Sequence, residues 1–226
     1  MSTETASAVP SGPQGAAVSI EVDATSPAMS EQNQRQWEAT YASETGAHKN
    51  QYPTELVIGY VMRTWRQPAT PEGGRLSCVD LGCGWGNNLR FLKDRGFDAW
   101  GVDFSQTAVD HIKETITPQA VCADFKALPF EDERFDFAID KSAIQNNTYD
   151  DIAATLREVH RILKPGGGFF SMIIKEGDSG FYTTYLTEDQ IRALFAPFSS
   201  VMIDVQTLTR GGGAVRSAQY IVQAVK

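Results

Sequence analysis

The chain has 226 residues, a formal net charge of -8 at pH 7 and 42% hydrophobic residues. This length is sufficient for one doubly wound α/β domain with a core of ordinary size. The acidic balance argues against nucleic acid as the main partner, because such proteins need basic patches to neutralise phosphates. No apolar run approaches the ~18 residues of a membrane span, and no basic region followed by an apolar core opens the chain. We expect a cytoplasmic protein with no membrane partner.

The cysteines indicate the redox state of the compartment and whether a metal site is expected. Cys78, Cys83 and Cys122 show neither C-x-x-C spacing nor pairing with histidine. This usage is typical of a reducing compartment and predicts no zinc or other metal site. Cys83 and Cys122 are predicted to be small packing residues and not catalytic thiols.

The first part of the chain divides into two regions. Residues 1–30 are rich in Ser, Thr, Ala, Pro and Gly, so too little apolar surface is present to offset ordering, and a disordered arm is predicted. Residues 31–74 are predicted to be a helical lid segment. Trp37 and Tyr41 fall at helical spacing in a first short helix, and Pro53 is expected in the first turn of a second. The second helix has an apolar stripe of Leu56, Val57, Tyr60, Val61 and Trp65.

From residue 75 to the end, strand-like and helical patterns alternate, which implies a parallel sheet covered on both faces. The stretch Lys164–Gly167 predicts a sharp stop before the fifth strand, and Thr187 with Gln190 predicts a capping box that opens a helix. The predicted strands are Leu76–Leu81, Ala99–Asp103, Ala120–Ala123, Phe135–Asp140 and Gly167–Ile174, and the predicted helices are Asn87–Arg95, Gln106–Thr115 and Ile152–Leu163.

The end of the chain departs from this alternation. Val201–Leu208 and Ser217–Val225 are two strand-like runs joined by a connection too short for a crossover helix. Parallel neighbours need such a crossover, so the last two strands are predicted to be antiparallel to each other.

A glycine-rich turn marks the candidate ligand site. In VDLGCGWGNNLRFL, an apolar run is followed by Gly82, Gly84 and Gly86 and then by a helical pattern. A strand that turns sharply into a helix leaves free N–H groups aimed at one place, and glycine allows close approach to the backbone. This turn alone is shared by many nucleotide-binding folds.

Three aspartates narrow the interpretation. Asp80 precedes the first glycine by two positions, which gives D-x-G-x-G-x-G instead of the G-x-G-x-x-G of dinucleotide enzymes. Asp103 closes the second predicted strand, where a carboxylate can accept both hydroxyls of a ribose. Asp124 closes the third strand. Asp103 could also be the cap of the helix that starts near Gln106, and Asp124 could be an ordinary turn aspartate, since Asp is favoured at such places.

The motifs DLGCGWG, VDFS, ADFKALPF, FDFAID and LKPGGG follow one another in this order. Together they resemble the class I S-adenosylmethionine-dependent methyltransferases of the small-molecule type. The resemblance covers residues 75–226 and implies a Rossmann-like seven-stranded sheet in the order 3-2-1-4-5-7-6, with strand 7 antiparallel. It also implies a cytoplasmic transferase with S-adenosyl-L-methionine as cofactor.

The resemblance also implies a set of cofactor-binding residues. Asp80 and the turn of Gly82, Cys83, Gly84, Trp85 and Gly86 would hold the methionine portion. Asp103, with Ser105 beside it, would hold the ribose. Asp124 would bind the adenine amino group, with Phe104 and Phe125 next to the ring.

The acceptor site is expected outside the carboxyl ends of the strands. Candidate substrate-binding residues there are Lys141 after the fourth strand and Tyr182 and Tyr185 after the fifth. Trp37, Tyr41 and Tyr52 are the candidate lid residues, with ordinary helix packing as the alternative. No catalytic base is evident, although Lys141 and His48 are weak candidates. In-line methyl transfer needs a base only if the acceptor must lose a proton.

Two other functions stay open at this point. A nicotinamide-dependent oxidoreductase could use a similar sheet, although the glycine spacing and the antiparallel ending are unfavourable. A binding protein could keep the cofactor pocket without turnover. The expected activity is methylation of an oxygen or nitrogen of a small-molecule acceptor by in-line displacement, and neither the acceptor nor the oligomeric state follows from the sequence.

Overall fold

The computed structural model describes residues 27–43, 49–66, 69–70, 73–177, 180–211, 213 and 215–226. The helices are α1 (Pro27–Ala42), α2 (Glu55–Thr64), α3 (Asn87–Asp94), α4 (Gln106–Thr115), α5 (Tyr149–Ile162) and α6 (Glu188–Leu194). The strands are β1 (Ser77–Leu81), β2 (Asp98–Asp103), β3 (Ala120–Cys122), β4 (Phe135–Lys141), β5 (Leu163–Glu176), β6 (Ser200–Thr209) and β7 (Val215–Val225), and a 3-10 turn spans Ile144–Asn146.

The strands form one sheet in the order β3-β2-β1-β4-β5-β7-β6. β1 to β5 are paired in parallel, whereas β7 runs antiparallel to both β5 and β6. The predicted strand order and the antiparallel ending are therefore confirmed. Because the connection between β6 and β7 is a short hairpin, no crossover helix is available to make this pair parallel.

Helices cover both faces of the sheet. On one face, α2, α3 and α4 pack on residues such as Phe137 and Ile139 of β4, and on the other face α5 and α6 pack on Ala138 and Phe169. Side chains alternate between faces along a strand, so β4 supplies both cores. In the described ranges, no helix is long and apolar enough to cross a bilayer.

Apart from shifts of one to three residues at several ends, three differences from the predicted elements stand out. α1 begins at Pro27, inside the region that was expected to be a disordered arm, while residues 1–26 lie outside the described residues. Pro53 precedes the N-cap Thr54 of α2 and is not in its first turn. The capping box of Thr187 and Gln190 at the start of α6 is confirmed.

The third difference concerns the expected stop at Lys164–Gly167, because β5 begins at Leu163, directly after α5. The Gly166 N–H donates to the carbonyl of Lys226 at 3.1 Å, and the Lys226 N–H donates to the carbonyl of Gly167 at 3.0 Å. These bonds to the residue after β7 extend the strand through the glycines, so the stretch ends α5 without forming a separate loop.

Candidate functional site

A cavity of about 370 Å³ lies at the carboxyl ends of the central parallel strands. Gly82 after β1, Asp103 at the end of β2, Lys141 at the end of β4 and Ile174 of β5 all line it. Open α/β sheets bind ligands at this edge, where the strand order reverses. Helix α1 covers the cavity, since Trp37 also lines it.

The glycine turn has a packing role as well as a ligand-facing one. Gly82 and Gly84 line the cavity with positive φ angles of 67° and 49°. A Cβ atom at Gly82 would overlap the side chain of Ala143, and one at Gly84 would overlap the hydroxyl of Tyr41. Because glycine has no side chain, the segment after β4 and helix α1 can both pack directly against the glycine turn.

Asp103 is buried and holds the glycine turn in place. Its Oδ2 accepts the Gly84 N–H at 2.9 Å, and its Oδ1 accepts the Ser105 N–H at 3.0 Å. Burial raises the pKa of Asp103 to about 6, although these backbone bonds oppose the shift. Each oxygen has a lone pair left for a ligand hydroxyl.

Asp80 and Asp140 lie buried at the ends of the neighbouring strands β1 and β4. Burial, with the Asp140 and Asp103 carboxylates nearby, raises the pKa of Asp80 well above its usual value. Neither Asp80 oxygen accepts a normal hydrogen bond from a described residue, and the Leu89 N–H only weakly opposes the shift. Asp80 does not itself line the cavity.

Asp140 has a different environment. Its Oδ2 accepts the Ser171 hydroxyl at 2.6 Å, and its Oδ1 accepts the N–H groups of Ala143 and Ile144. Burial raises the pKa of Asp140 to about 6, although these hydrogen bonds oppose the shift. The carboxylate thereby fixes the turn that presents Lys141 to the cavity.

A smaller cavity of about 260 Å³ adjoins the first and shares Phe104 and Phe125 with it. Asp124 lines this smaller cavity together with Asn33 of α1. The Asn33 side-chain N–H₂ donates to the carbonyl of Asn146, which leaves Asn33 Oδ1 buried without a partner among the described residues. A carboxylate side chain and an amide side chain thus line one small cavity.

Stacked aromatic rings form the roof of the larger cavity. Trp37 of α1 stacks on Phe181, with ring centroids 4.0 Å apart, and on Tyr41 of the same helix at 5.6 Å. Tyr41 in turn stacks on Trp85 at 6.1 Å. His111 of α4 stacks on Trp85 at 3.7 Å, beside the cavity and not within it.

Polar contacts tie α1 to the edge of the sheet. Glu38 accepts the hydroxyls of Ser105 and Thr107 at the start of α4. Although partial burial opposes the change, these hydrogen bonds hold the pKa of Glu38 below its usual value. Gln36 donates to the carbonyl of Gly180 at 3.2 Å. The helix is therefore held on both sides of the cavity.

The structure brings only part of the predicted site together. Of the predicted residues, the two cavities are lined by Gly82, Gly84, Trp85, Asp103, Phe104, Asp124, Phe125, Trp37, Tyr41 and Lys141. Cys83 is buried against Gly101, Gly86 caps α3 in a left-handed conformation, and Ser105 caps α4. His48 lies outside the described residues.

Three tyrosines predicted to bind substrate lie away from the cavities. Tyr52 is 79% exposed, and its hydrogen bonds to described residues come from its backbone, whose N–H donates to Asn50 and whose carbonyl accepts from the Asn87 side chain. The Tyr185 hydroxyl donates to the carbonyl of Gly177, which holds the ring at the surface, and Tyr182 contacts Thr184. Because the loop turns after β5, the neighbouring Phe181 lines the cavity in their place.

Asn33 and Glu38 are site residues that the sequence patterns did not identify. Asn33, Trp37 and Tyr41 are four residues apart, so they lie on one face of α1. This spacing is the feature of the sequence that could have identified Asn33. A polar residue on a short amphipathic helix is, however, usually predicted to be solvent-exposed. In the described part of the chain, no cluster of three or more His, Cys, Asp or Glu side chains could hold a metal ion.

Comparison with known proteins agrees with this geometry. Residues 79–171 match the family described as methyltransferase domain. The chain is 35% identical over 92 residues to malonyl-[acyl-carrier protein] O-methyltransferase of Pseudescherichia vulneris, and 33% identical over 115 residues to demethylmenaquinone methyltransferase of Staphylococcus saprophyticus. These alignments cover 40% and 46% of this chain but only 36% and 48% of those two proteins.

A solved structure extends the similarity over most of the chain. Burkholderia thailandensis 1,6-didemethyltoxoflavin-N1-methyltransferase, with bound 1,6-didemethyltoxoflavin and S-adenosylhomocysteine, superimposes with a TM-score of 0.68. The alignment covers 91% of this chain and 93% of that one at 17% identity, a level that shows the fold. The family match and the fold confirm the predicted resemblance to the class I S-adenosylmethionine-dependent methyltransferases.

Proposed function

We propose that this chain, with its class I methyltransferase fold and the methyltransferase domain at residues 79–171, methylates a small-molecule acceptor from S-adenosylmethionine. One observation carries the proposal. Asp80, Asp103 and Asp140 are buried at the ends of neighbouring strands, Asp103 lines the cavity, and none of the three has an ion pair with a described residue. Buried carboxylates without a cation favour a ligand that brings positive charge. S-adenosylmethionine brings a sulfonium and an ammonium group.

The residues present fit the remaining parts of this cofactor. The two lone pairs left on Asp103 suit the hydroxyls of a ribose. The Asp124 carboxylate and the unpartnered Asn33 Oδ1 suit the two hydrogens of an adenine amino group, with Phe104 and Phe125 at the junction of the cavities. The N-terminus of α3, directly after the glycine turn, favours a carboxylate such as that of methionine.

When bound, S-adenosylmethionine supplies a methyl group already activated by its sulfonium. The chain then has two tasks, alignment of the acceptor and exclusion of water. Pre-organised alignment can supply on the order of 7–11 kcal/mol, and the roof of Trp37 and Phe181 excludes water. We propose in-line transfer to an oxygen or nitrogen. Lys141 is the proposed group for an acidic acceptor, since its ammonium has no salt bridge to a described residue.

Two alternative functions that the sequence left open can be distinguished from methyl transfer. A nicotinamide-dependent oxidoreductase is disfavoured because the match and the fold are those of methyltransferases. A protein that binds the cofactor without turnover would share the same pocket. The cytoplasmic location and the absence of a nucleic-acid partner also stay predictions.

Calorimetry with S-adenosylmethionine, S-adenosylhomocysteine and NAD⁺ tests the cofactor. We expect binding of the first two in the micromolar range and none of NAD⁺, with Asp103→Ala weakening binding at least tenfold. Exposed Asp204→Ala is the matched control and should bind normally. Radiolabelled S-adenosylmethionine, incubated with small-molecule extracts, then tests turnover. Tight NAD⁺ binding would refute the proposal, and cofactor binding with no labelled product would favour the silent binding protein.

A further inference from the structure

Gln145 is a fully buried side chain in the 3-10 turn after β4, and it lines the larger cavity. Its side-chain Oε1 accepts the backbone N–H of Ile174 at 2.6 Å, and its backbone carbonyl accepts the N–H of Thr184 at 2.8 Å. These bonds connect the turn to the end of β5 and to the segment that follows it. The position and rotamer of Gln145 are therefore fixed before any ligand binds.

The chemistry of these bonds also fixes which end of the amide is which. The Ile174 N–H can only donate, so the atom that faces it must be the amide oxygen. The N–H₂ group is then the end without a partner, and it makes no hydrogen bond to any described residue. A buried donor without an acceptor is costly in a folded protein, and a ligand that supplies an oxygen would remove this cost.

Positive charge lies at the same end of the cavity. Lys141 and Ser142 line the larger cavity and also a neighbouring one of about 610 Å³, which continues past Ile174 toward Arg216. The Lys141 ammonium makes no salt bridge in the described part of the chain. Among the described residues that line this neighbouring cavity, Glu176 is the one carboxylate. The acceptor end thus offers hydrogen-bond donors, in contrast to the carboxylates at the cofactor end.

We propose that the Gln145 amide N–H₂ donates a hydrogen bond to a carbonyl or carboxylate oxygen of the methyl acceptor, next to the atom that is methylated. Gln145 is then a specificity-determining residue, and the acceptor class is oxygen-bearing and neutral or anionic. An amine acceptor would place a cation against two donor groups, the Gln145 amide and Lys141. This inference rests on the proposed function, because it assumes that an acceptor occupies this end of the cavity.

The test uses matched pairs of probes in which a carboxylate replaces an aminomethyl group. These are 4-hydroxybenzoate with 4-hydroxybenzylamine, and 2-naphthoate with 2-naphthylmethylamine, measured by ligand-observed NMR on protein saturated with S-adenosylhomocysteine. We expect at least one carboxylate to bind five or more times tighter than its amine partner. Weaker or equal binding of the carboxylates, or binding of no probe, would overturn the proposal.

Two variants separate recognition from bracing. Gln145→Glu keeps an oxygen for the Ile174 N–H but replaces the free donor, so the preference for carboxylates should disappear or reverse. Gln145→Met removes both groups and should reduce the preference to the part that Lys141 supplies. Affinity for S-adenosylhomocysteine and the melting temperature report on folding. If folded variants retain the wild-type preference, Gln145 is only a brace. If the wild-type chain does not bind S-adenosylhomocysteine, the proposed function itself fails.

Discussion

The indole of Trp37 and the ring of Phe181 lie nearly parallel, with centroids 4.0 Å apart and an interplanar angle of 8°. One ring belongs to helix α1 and the other to the segment after β5, so this contact joins two elements directly over the cavity. Both rings line the cavity, so a ligand bound there would lie against the pair. We therefore expect this contact between α1 and the segment after β5 to slow the release of a ligand.

Phe181→Ala should accelerate release of S-adenosylhomocysteine. Stacked aromatic pairs contribute about 0.5–1.5 kcal/mol beyond their buried area, so the dissociation rate should rise by about 2- to 13-fold with a smaller effect on association. Stopped-flow tryptophan fluorescence measures both rates. Tyr185→Phe changes a ring of the same segment that does not line the cavity, and it should leave both rates unchanged. Equal rates in Phe181→Ala and wild type would show that this contact does not hold the cover.

Glu38→Ala should loosen α1 from the sheet edge. The variant removes a carboxylate that accepts bonds from the Ser105 and Thr107 hydroxyls. Bonds to a charged group contribute about 1.5–3 kcal/mol when buried, and partial exposure reduces this to about 1 kcal/mol. Hydrogen exchange of the α1 amides should therefore be several-fold faster. Gln32→Ala changes an exposed residue of the same helix and should exchange as wild type does.

The same contact should depend on pH in a defined direction. Because the pKa of Glu38 is lowered in the folded chain, its stabilising effect is present above the unfolded value of about 4.5 and is lost as the pH falls through the folded pKa. Wild type and Glu38→Ala should thus converge in α1 exchange in acid. A constant difference between them down to pH 3 would contradict this assignment.

The sheet, and the carboxylates that lie at one end of it, were predictable because the signals are local. Strand ends with Asp80, Asp103 and Asp124, separated by helical patterns, determine which carboxylates meet at one edge of a parallel sheet. The covering elements were not predictable to the residue. Whether Phe181 or Tyr182 faces the cavity depends on how one loop turns after β5, and the role of Asn33 depends on where α1 docks.

Asp140→Asn should stabilise the chain at neutral pH. Burial raises the pKa of Asp140 to about 6, compared with about 3.9 in the unfolded chain. Between these values the folded state binds more protons, so stability falls as the pH rises from about 4 to 6 and stays lower above that range. The asparagine can accept from Ala143 and Ile144 and donate to Ser171 without this loss. Chemical denaturation at pH 8 should show a gain of about 1–2 kcal/mol.

Two comparisons check the origin of that gain. At pH 4 the advantage of Asp140→Asn should be largely lost, because the wild-type carboxyl is then protonated in the folded state and about half protonated in the unfolded state. Ser171→Ala leaves Asp140 Oδ2 without its donor and should destabilise the chain at pH 8 by about 1–3 kcal/mol. The pKa of Asp103 is also about 6, so its titration should contribute the same dependence of stability on pH to wild type and to Asp140→Asn. A pH-independent gain would mean that packing, not charge, explains it.

Asn33→Ala should reduce discrimination for the amino group of adenine. Asn33 Oδ1 is buried without a partner beside Asp124, so it can accept one amino hydrogen while Asp124 accepts the other. Loss of a hydrogen bond of about 1 kcal/mol weakens binding about fivefold. S-adenosylhomocysteine should show this loss in calorimetry. S-inosylhomocysteine, which has a carbonyl in place of the amino group, should bind wild type weakly and be affected little by the change.

The ratio of the two affinities is the decisive quantity, because it is insensitive to a general loosening of α1. Asn33 also donates to the carbonyl of Asn146, so its removal could weaken both ligands equally through the helix. An unchanged ratio would assign Asn33 to that structural bond alone. A reduced ratio, together with a similar reduction in Asp124→Ala, would place the helix that covers the site among the elements that recognise the adenine.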